Sequence, residues 1–233
     1  MSLLSYLTFN DINNPLKDIG SANSIWTPYN MQSNQMTYYS DYTKSQVLNL
    51  KDNLYSHIKC ENISLFELSN KNFTFELWFK LIDNNMNDDY AILAYEKDFR
   101  FGISVRYNTL KIYGSSTGND WYFIAGDSYW DRGTTGWGHT QLQQNKWYHI
   151  AVVRNGSIIR SYLDGKVEVE CNIGTTSFYT GDCPFYLGRW GDGTTSKILI
   201  DNFRFYDNAK YLSEFTPSPF PNVLYSNLAI GGN

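Results

Sequence analysis

Two carboxylates on one strand face, or a nucleophile held against a histidine, are the arrangements through which this chain could do covalent chemistry. Retaining hydrolysis of a glycosidic bond needs its nucleophile and its acid about 5 to 5.5 Å apart. Val167-Glu-Val-Glu170 sets Glu168 and Glu170 two positions apart, on one face of a strand. The segment follows an Asp164-Gly165 turn within a meander, where a solvated face accounts for both charges. Glu76 lies in Phe73-Thr-Phe-Glu-Leu-Trp-Phe-Lys-Leu81 with Trp78 and Lys80 beside it and no second carboxylate. His57, His139 and His149 form no HExxH or other ligand spacing. No GxSxG, glycine-rich phosphate loop or catalytic cysteine context occurs. Cys60, Cys171 and Cys183 are odd in number and lack CxxC spacing, so they read as buried or half-buried free thiols. The chain is expected not to be an enzyme.

Its rings suggest adhesion instead. Aromatics make up 17% of the residues, with 19 Tyr, 14 Phe and 7 Trp, types that favour strands and supply broad contact surfaces. Sugars are held by an aromatic platform against the apolar face of a pyranose, with fixed amides and carboxylates for the hydroxyls. Asn119-Asp-Trp-Tyr122, Tyr129-Trp-Asp-Arg132, Trp137-Gly-His139 and Arg189-Trp-Gly-Asp-Gly193 gather such groups in Gly- and Asp-rich loops. The expected contact surface is Trp130, Trp137 and Trp190 with Asp131 and Asp192; the competing reading is that some of these rings pack over the sheet ends. A net charge of −4 with no basic run argues against nucleic acid. No apolar run approaches the roughly 18 residues that would insert in a membrane. Met1 to Asn10 does not read as a signal peptide. Asn62-Ile-Ser, Asn72-Phe-Thr and Asn155-Gly-Ser then read as chance matches to the glycosylation pattern.

The elements that must position these residues are short strands separated by turn residues, the spacing of a sandwich or barrel. Leu4 to Phe9, Gln46 to Leu50, Phe73 to Leu81, Tyr90 to Tyr95, Phe101 to Arg106, Thr109 to Tyr113, Trp121 to Ala125 and Lys197 to Tyr206 read as strands. In Phe73 to Leu81 the odd-numbered positions face a core, while Thr74, Glu76, Trp78 and Lys80 face water or a ligand. Asn145 to Glu170 reads as a three-stranded meander, with Asn155-Gly156 fitting a two-residue turn. Ala209 to Phe215 looks like a short helical turn that Pro217 and Pro219 would end. No linker or fixed repeat divides the chain. One domain is expected over residues 1–220, and residues 221–233 form a tail whose Val223, Leu224, Leu228 and Ile230 suit docking on a neighbouring subunit or packing back on the sheet.

The order of these segments resembles the laminin G-like branch of the concanavalin A-like lectin/glucanase superfamily. The resemblance is carried by Phe73 to Leu81, Trp147 to Val152, Tyr162 to Gly165, Leu187-Gly188, Ile200 to Tyr206 and Phe215-Thr216-Pro217, and by the opening Leu3 to Asp11. It implies an all-β jelly-roll sandwich of two antiparallel sheets. Glucanases of this fold carry a Glu-x-Asp-x-x-Glu strand that has no counterpart around Glu76. In the related strand, an inter-strand hydrogen bond is the expected role of His149. Relatives allow a rim calcium ion, yet Asp83 to Tyr90 lacks the glycine and glutamate of an EF-hand loop and reads as a polar hairpin loop. The opening and the Phe-Thr-Pro ending are similar to domains of tailed-bacteriophage virion proteins. That implies a virion structural or adhesion protein assembled in the host cytoplasm, whose partners are other virion proteins, copies of itself or host-surface glycans. The alternative is a free-standing lectin-like module at a bacterial cell surface.

Overall fold

The computed structural model describes residues 1–11, 13–31, 36–38, 46–51, 55–83, 89–95, 101–118, 136–179, 184–189 and 197–219. Its strands, in chain order, are β1 (Leu3–Leu7), β2 (Trp26–Tyr29), β3 (Met36–Tyr38), β4 (Gln46–Asn49), β5 (His57–Cys60), β6 (Phe73–Leu81) and β7 (Asp89–Tyr95). They continue as β8 (Phe101–Arg106), β9 (Thr109–Gly114), β10 (Trp147–Asn155), β11 (Ile158–Leu163), β12 (Lys166–Asn172), β13 (Phe185–Leu187) and β14 (Ile198–Tyr206). A 3-10 turn at Ile63–Phe66 is the helical element among the described residues. One sheet runs β12-β11-β10-β6-β14-β4-β3, with β1 also on β14; the other runs β2-β5-β13-β7-β8-β9. All pairings named are antiparallel. We call these sheet A and sheet B; they form the expected jelly-roll sandwich.

The period-2 pattern of β6 explains its central place. Phe73, Phe75, Leu77, Phe79 and Leu81 are each no more than 1% exposed and point between the sheets. Rings from both sheets interlock there: Phe75 stacks on Phe205 of β14 at 4.6 Å, and Phe66 lies on Phe185 of β13 at 4.1 Å and 10°. Offset and stacked pairs of this kind add to the area they bury. A bulge between Asp201 and Arg204 lets β14 change neighbours. Its first half pairs β4 and its second half pairs β1, with Asn202 at φ 52 between them.

Both turns of the expected meander are present, one of them shifted. Asp164 and Gly165 both have positive φ, 50° and 81°, as a type I′ turn demands. The other turn sits one residue later than the sequence suggests. Asn155 pairs with Ile158, so Gly156 (φ 59) and Ser157 form the tip. Arg154, 1% exposed, fixes that tip. Its guanidinium donates to the carbonyls of Gly156, Ser69 and Thr176.

Most of the outer face of β6 is covered: Thr74, Glu76 and Lys80 are buried and Trp78 is half-buried. Residues 207–217 cross it as an extended strap with bends and no helix, which corrects the helical turn expected over Ala209 to Phe215. The backbone groups a helix would use are taken by the sheet: Lys210 N–H donates to Thr74 Oγ1 at 2.9 Å and Phe215 N–H to the Gly165 carbonyl at 3.0 Å. Ala209, Tyr211 and Phe215 cover Ala151, Val153 and Tyr162, with Tyr211 and Phe215 stacked at 3.5 Å. Gly165 is needed twice over, for its φ and because a Cβ there would meet the Phe215 carbonyl at 1.8 Å. The strand expected at Trp121 to Ala125, and the tail from 221, lie outside the described residues.

Candidate functional site

Glu76, the carboxylate best placed on the fold for chemistry, is 1% exposed beneath the strap. Its Oε1 accepts from Lys210 Nζ at 2.8 Å, Tyr206 Oη at 3.1 Å and Arg204 Nη1 at 3.3 Å. Its Oε2 accepts from Tyr211 Oη at 2.6 Å. Burial pushes this carboxyl upward, but hydrogen bonds from Lys210 and Tyr211 and the Lys210 charge outweigh it, leaving the group below its ordinary value. Burial next to Glu76 raises the Tyr206 and Tyr211 phenols well above normal, which keeps them as donors. Carbonyl, water or sugar would have to displace four donors to reach this carboxylate.

His149 faces the same carboxylate from β10, its Nε2 3.9 Å from Glu76 Oε2. Burial drops its pKa to about 4 against the opposing pull of Glu76, so the ring is neutral near pH 7 and the contact is no ion pair. Its Nδ1 finds no partner among the described residues. The hydrogen bonds expected of this residue are made by its backbone instead: His149 N–H donates to Asp164 Oδ1 at 2.8 Å, and its carbonyl accepts from Asp164 N–H at 2.8 Å.

Glu168 and Glu170 do not share a solvated face. Ser161 pairs with Val169 and Tyr162 with Val167, so Glu168 is the extra residue of a β-bulge. It is 7% exposed, and its carboxylate accepts from the N–H groups of His139 and Thr140 and, at 2.9 Å, from Thr140 Oγ1. Glu170 stays at the surface, paired with Arg160. Glu168 therefore fastens the segment that contains Trp137. Glu168→Ala should cost roughly 1.5 to 3 kcal/mol, the range for hydrogen bonds to a charged group. Amide exchange at His139 and Thr140 should speed up with it; unchanged exchange would show that the carboxylate does not hold this segment.

Trp137 is 4% exposed, stacked on Tyr107 at 5.9 Å, with Lys111 Nζ 4.2 Å from its ring centroid. An isolated bridge to Lys111 sets its backbone beside β9. As it stands this ring packs over the sheet, the alternative weighed for each tryptophan. Trp130, Asp131, Trp190 and Asp192 lie outside the described residues. Arg189, just before Trp190, follows β13, three strand positions from β9 in sheet B.

Around Arg189 lies a cluster that the sequence did not single out. Tyr29 at the end of β2 is 54% exposed and stacks on His57 of β5 at 4.8 Å and 28°. Tyr186 of β13 meets His57 edge-on at 5.4 Å. His57 Nδ1 lies 2.7 Å from the Tyr55 carbonyl and so must carry the proton, which leaves Nε2 to accept from Arg189 Nη1 at 3.4 Å. Burial, aided by the Arg189 charge and opposed by the Tyr55 carbonyl, lowers the His57 pKa to about 4. Among the described residues no three His, Cys, Asp or Glu side chains group as a metal site, and no helix is long and apolar enough to cross a membrane.

No curated protein matches the chain. Solved structures do. The binding domain of Paraclostridial Mosquitocidal Protein 1 has a TM-score of 0.67 at 18% identity, covering 90% of this chain and 50% of that one. The receptor binding domain of botulinum neurotoxin mosaic serotype C/D gives 0.63 at 14%, covering 90% and 48%. The ligand binding domain of botulinum neurotoxin serotype D, in complex with N-acetylneuraminic acid, gives 0.64 at 13%, again covering 90% and 48%. This chain thus spans about half the length of each, and at such identities the likeness is one of fold. A family model described as the concanavalin A-like lectin/glucanase superfamily, Laminin G 3, matches residues 52–214, and the chain belongs to that family.

Proposed function

We propose that this chain is a non-catalytic recognition module that binds carbohydrate. The observation that carries the first half is Glu76: the carboxylate nearest a catalytic position is held by four donors under a strap, and Glu168 and Glu170 are each engaged elsewhere. The second half is supported by the aromatic rings set at the surface of sheet B and by fold neighbours named as receptor and ligand binding domains. Trp130, Asp131, Trp190 and Asp192 remain proposed contacts, while Trp137, 4% exposed, packs on Tyr107 and Lys111. A Trp130→Ala, Trp190→Ala pair tests them, since Trp137→Ala would also open a buried site. The decisive experiment sets a glycan array beside an assay for release of reducing ends. Saturable binding without turnover is expected; measurable hydrolysis would end the non-catalytic reading.

The setting is the finer part of the proposal. Nothing in the matches above ties the chain to tailed-phage virion proteins. A particle-bound role rests on the opening Leu3 to Asp11 and the closing Phe215-Thr216-Pro217 segments, and a free-standing module at a bacterial surface is the alternative. Co-purification with particles in many copies favours the first; saturable sugar binding by free protein, absent from particles, favours the second.

A further inference from the structure

We propose that Tyr29 is the stacking platform of a carbohydrate subsite on the outer face of β2, β5 and β13, and that its ligand is a pyranose ring of a glycan. This rests on the recognition role given above and adds where the sugar lands. The ring is open to solvent yet not loose. Tyr29 as a whole residue is 54% exposed, while its ring stacks on His57, which is 1% exposed and engaged at both nitrogens. Tyr186 closes the edge of that histidine. A side chain already held in place loses little freedom when a ligand arrives, so more of the contact appears as affinity.

The backbone around the stack is strained in a way that serves it. Asn30 has φ 51 and Tyr55 φ 66, and a left-handed conformation at a residue as bulky as tyrosine is a costly outlier. At Tyr55 the result is a carbonyl aimed at His57 Nδ1; one residue on, Ser56 Oγ donates to the Asn30 carbonyl at 3.0 Å and ties the two turns together. The turns that follow β2 and precede β5 are thus locked to one another and to the base of the platform.

The chemistry selects the occupant. The C–H face of a pyranose carries slight positive charge and fits the negative face of an aromatic ring. Lys59 of β5, opposite Thr27 and two residues from His57, pairs at 2.7 Å with Glu61 just beyond the strand and puts a charged hydrogen-bonding group on the same sheet. A peptide strand is the other occupant that a sheet edge invites. β2 is a poor template for one, being four residues long with Pro28 among them.

The test starts from an array carrying neutral and sialylated pyranosides, probed with the full chain, and then titrates the strongest glycan by calorimetry. Tyr29→Ala should weaken binding by about tenfold, while Tyr29→Trp, which keeps a stacking face, should stay within about threefold of wild type. Unchanged melting temperatures would certify the fold of both variants. Equal affinity of Tyr29→Ala and wild type overturns the subsite and leaves the recognition role standing, as does a loss seen only in the Trp130→Ala, Trp190→Ala pair. A wild-type chain that binds no pyranose on the array overturns both.

Discussion

Glu76→Ala is expected to destabilise the fold by about 3 to 5 kcal/mol, the cost of breaking a buried charge set by removing one member. Arg204 of β14 and Lys210 of the strap would be left without their shared anion, and the Tyr206 and Tyr211 hydroxyls would lose their acceptor. The strap should loosen first, because Lys210 and Tyr211 are the residues that join it to Glu76. Limited proteolysis should then cut within residues 207–217 before any other described segment. Glu76→Gln, which keeps an acceptor oxygen but not the charge, should fall between wild type and the alanine variant. Denaturant unfolding reads the magnitude. A Glu76→Ala protein within 1 kcal/mol of wild type would mean that the four donors are satisfied elsewhere. The same variants separate a structural carboxylate from a catalytic one, since a catalytic Glu76 would lose turnover on conversion to glutamine while the strap stayed closed.

The strap also marks where reading the sequence stops. Phe73 to Leu81 is legible as a strand because its apolar positions alternate, and Trp147 to Asn155 and Ile198 to Tyr206 because strand-forming apolar residues run for a strand's length between polar turns. Ala209 to Phe215 has a locally helical look, but Thr74 and Gly165, far away in sequence, claim its backbone, and no local pattern reports that. Arg204 was a usable signal: a lone cation on the face of β14 that pairs with Glu76 across the register. Glu168 misled because alternation presumes an unbroken ladder, and one bulged residue turns a surface acid into an anchor. Tyr29 and His57 lie on strands of four residues each, one holding a proline, too short for periodicity to reveal. Their pairing depends on β2 lying next to β5, which topology alone decides.

Stability should peak near pH 6.5 and fall on both sides, for reasons set by three buried groups. His57 and His149 each titrate at about 4 in the fold and near 6.5 when unfolded. Below 6.5 the unfolded chain therefore binds two protons that the native protein refuses, and stability is lost as pH falls towards 4. Asp201 works the other way. It is fully buried, its Oδ2 has no partner among the described residues, and burial lifts its carboxyl to about 8 despite hydrogen bonds from Asn202. Its native form keeps a proton that the unfolded chain releases near 3.9, so its contribution is complete below that pH and drains away as pH rises to 8. Between 4 and 6.5 the two histidines outweigh it by one proton, about 3 kcal/mol in all; between 6.5 and 8 it acts alone and removes about 2 kcal/mol. Urea unfolding at half-unit steps of pH would trace this curve. Asp201→Asn, which cannot ionise, should flatten the alkaline limb and steepen the acid one. A wild-type protein with constant stability from pH 6.5 to 8 would show instead that Asp201 is ionised and that solvent or a cation reaches it.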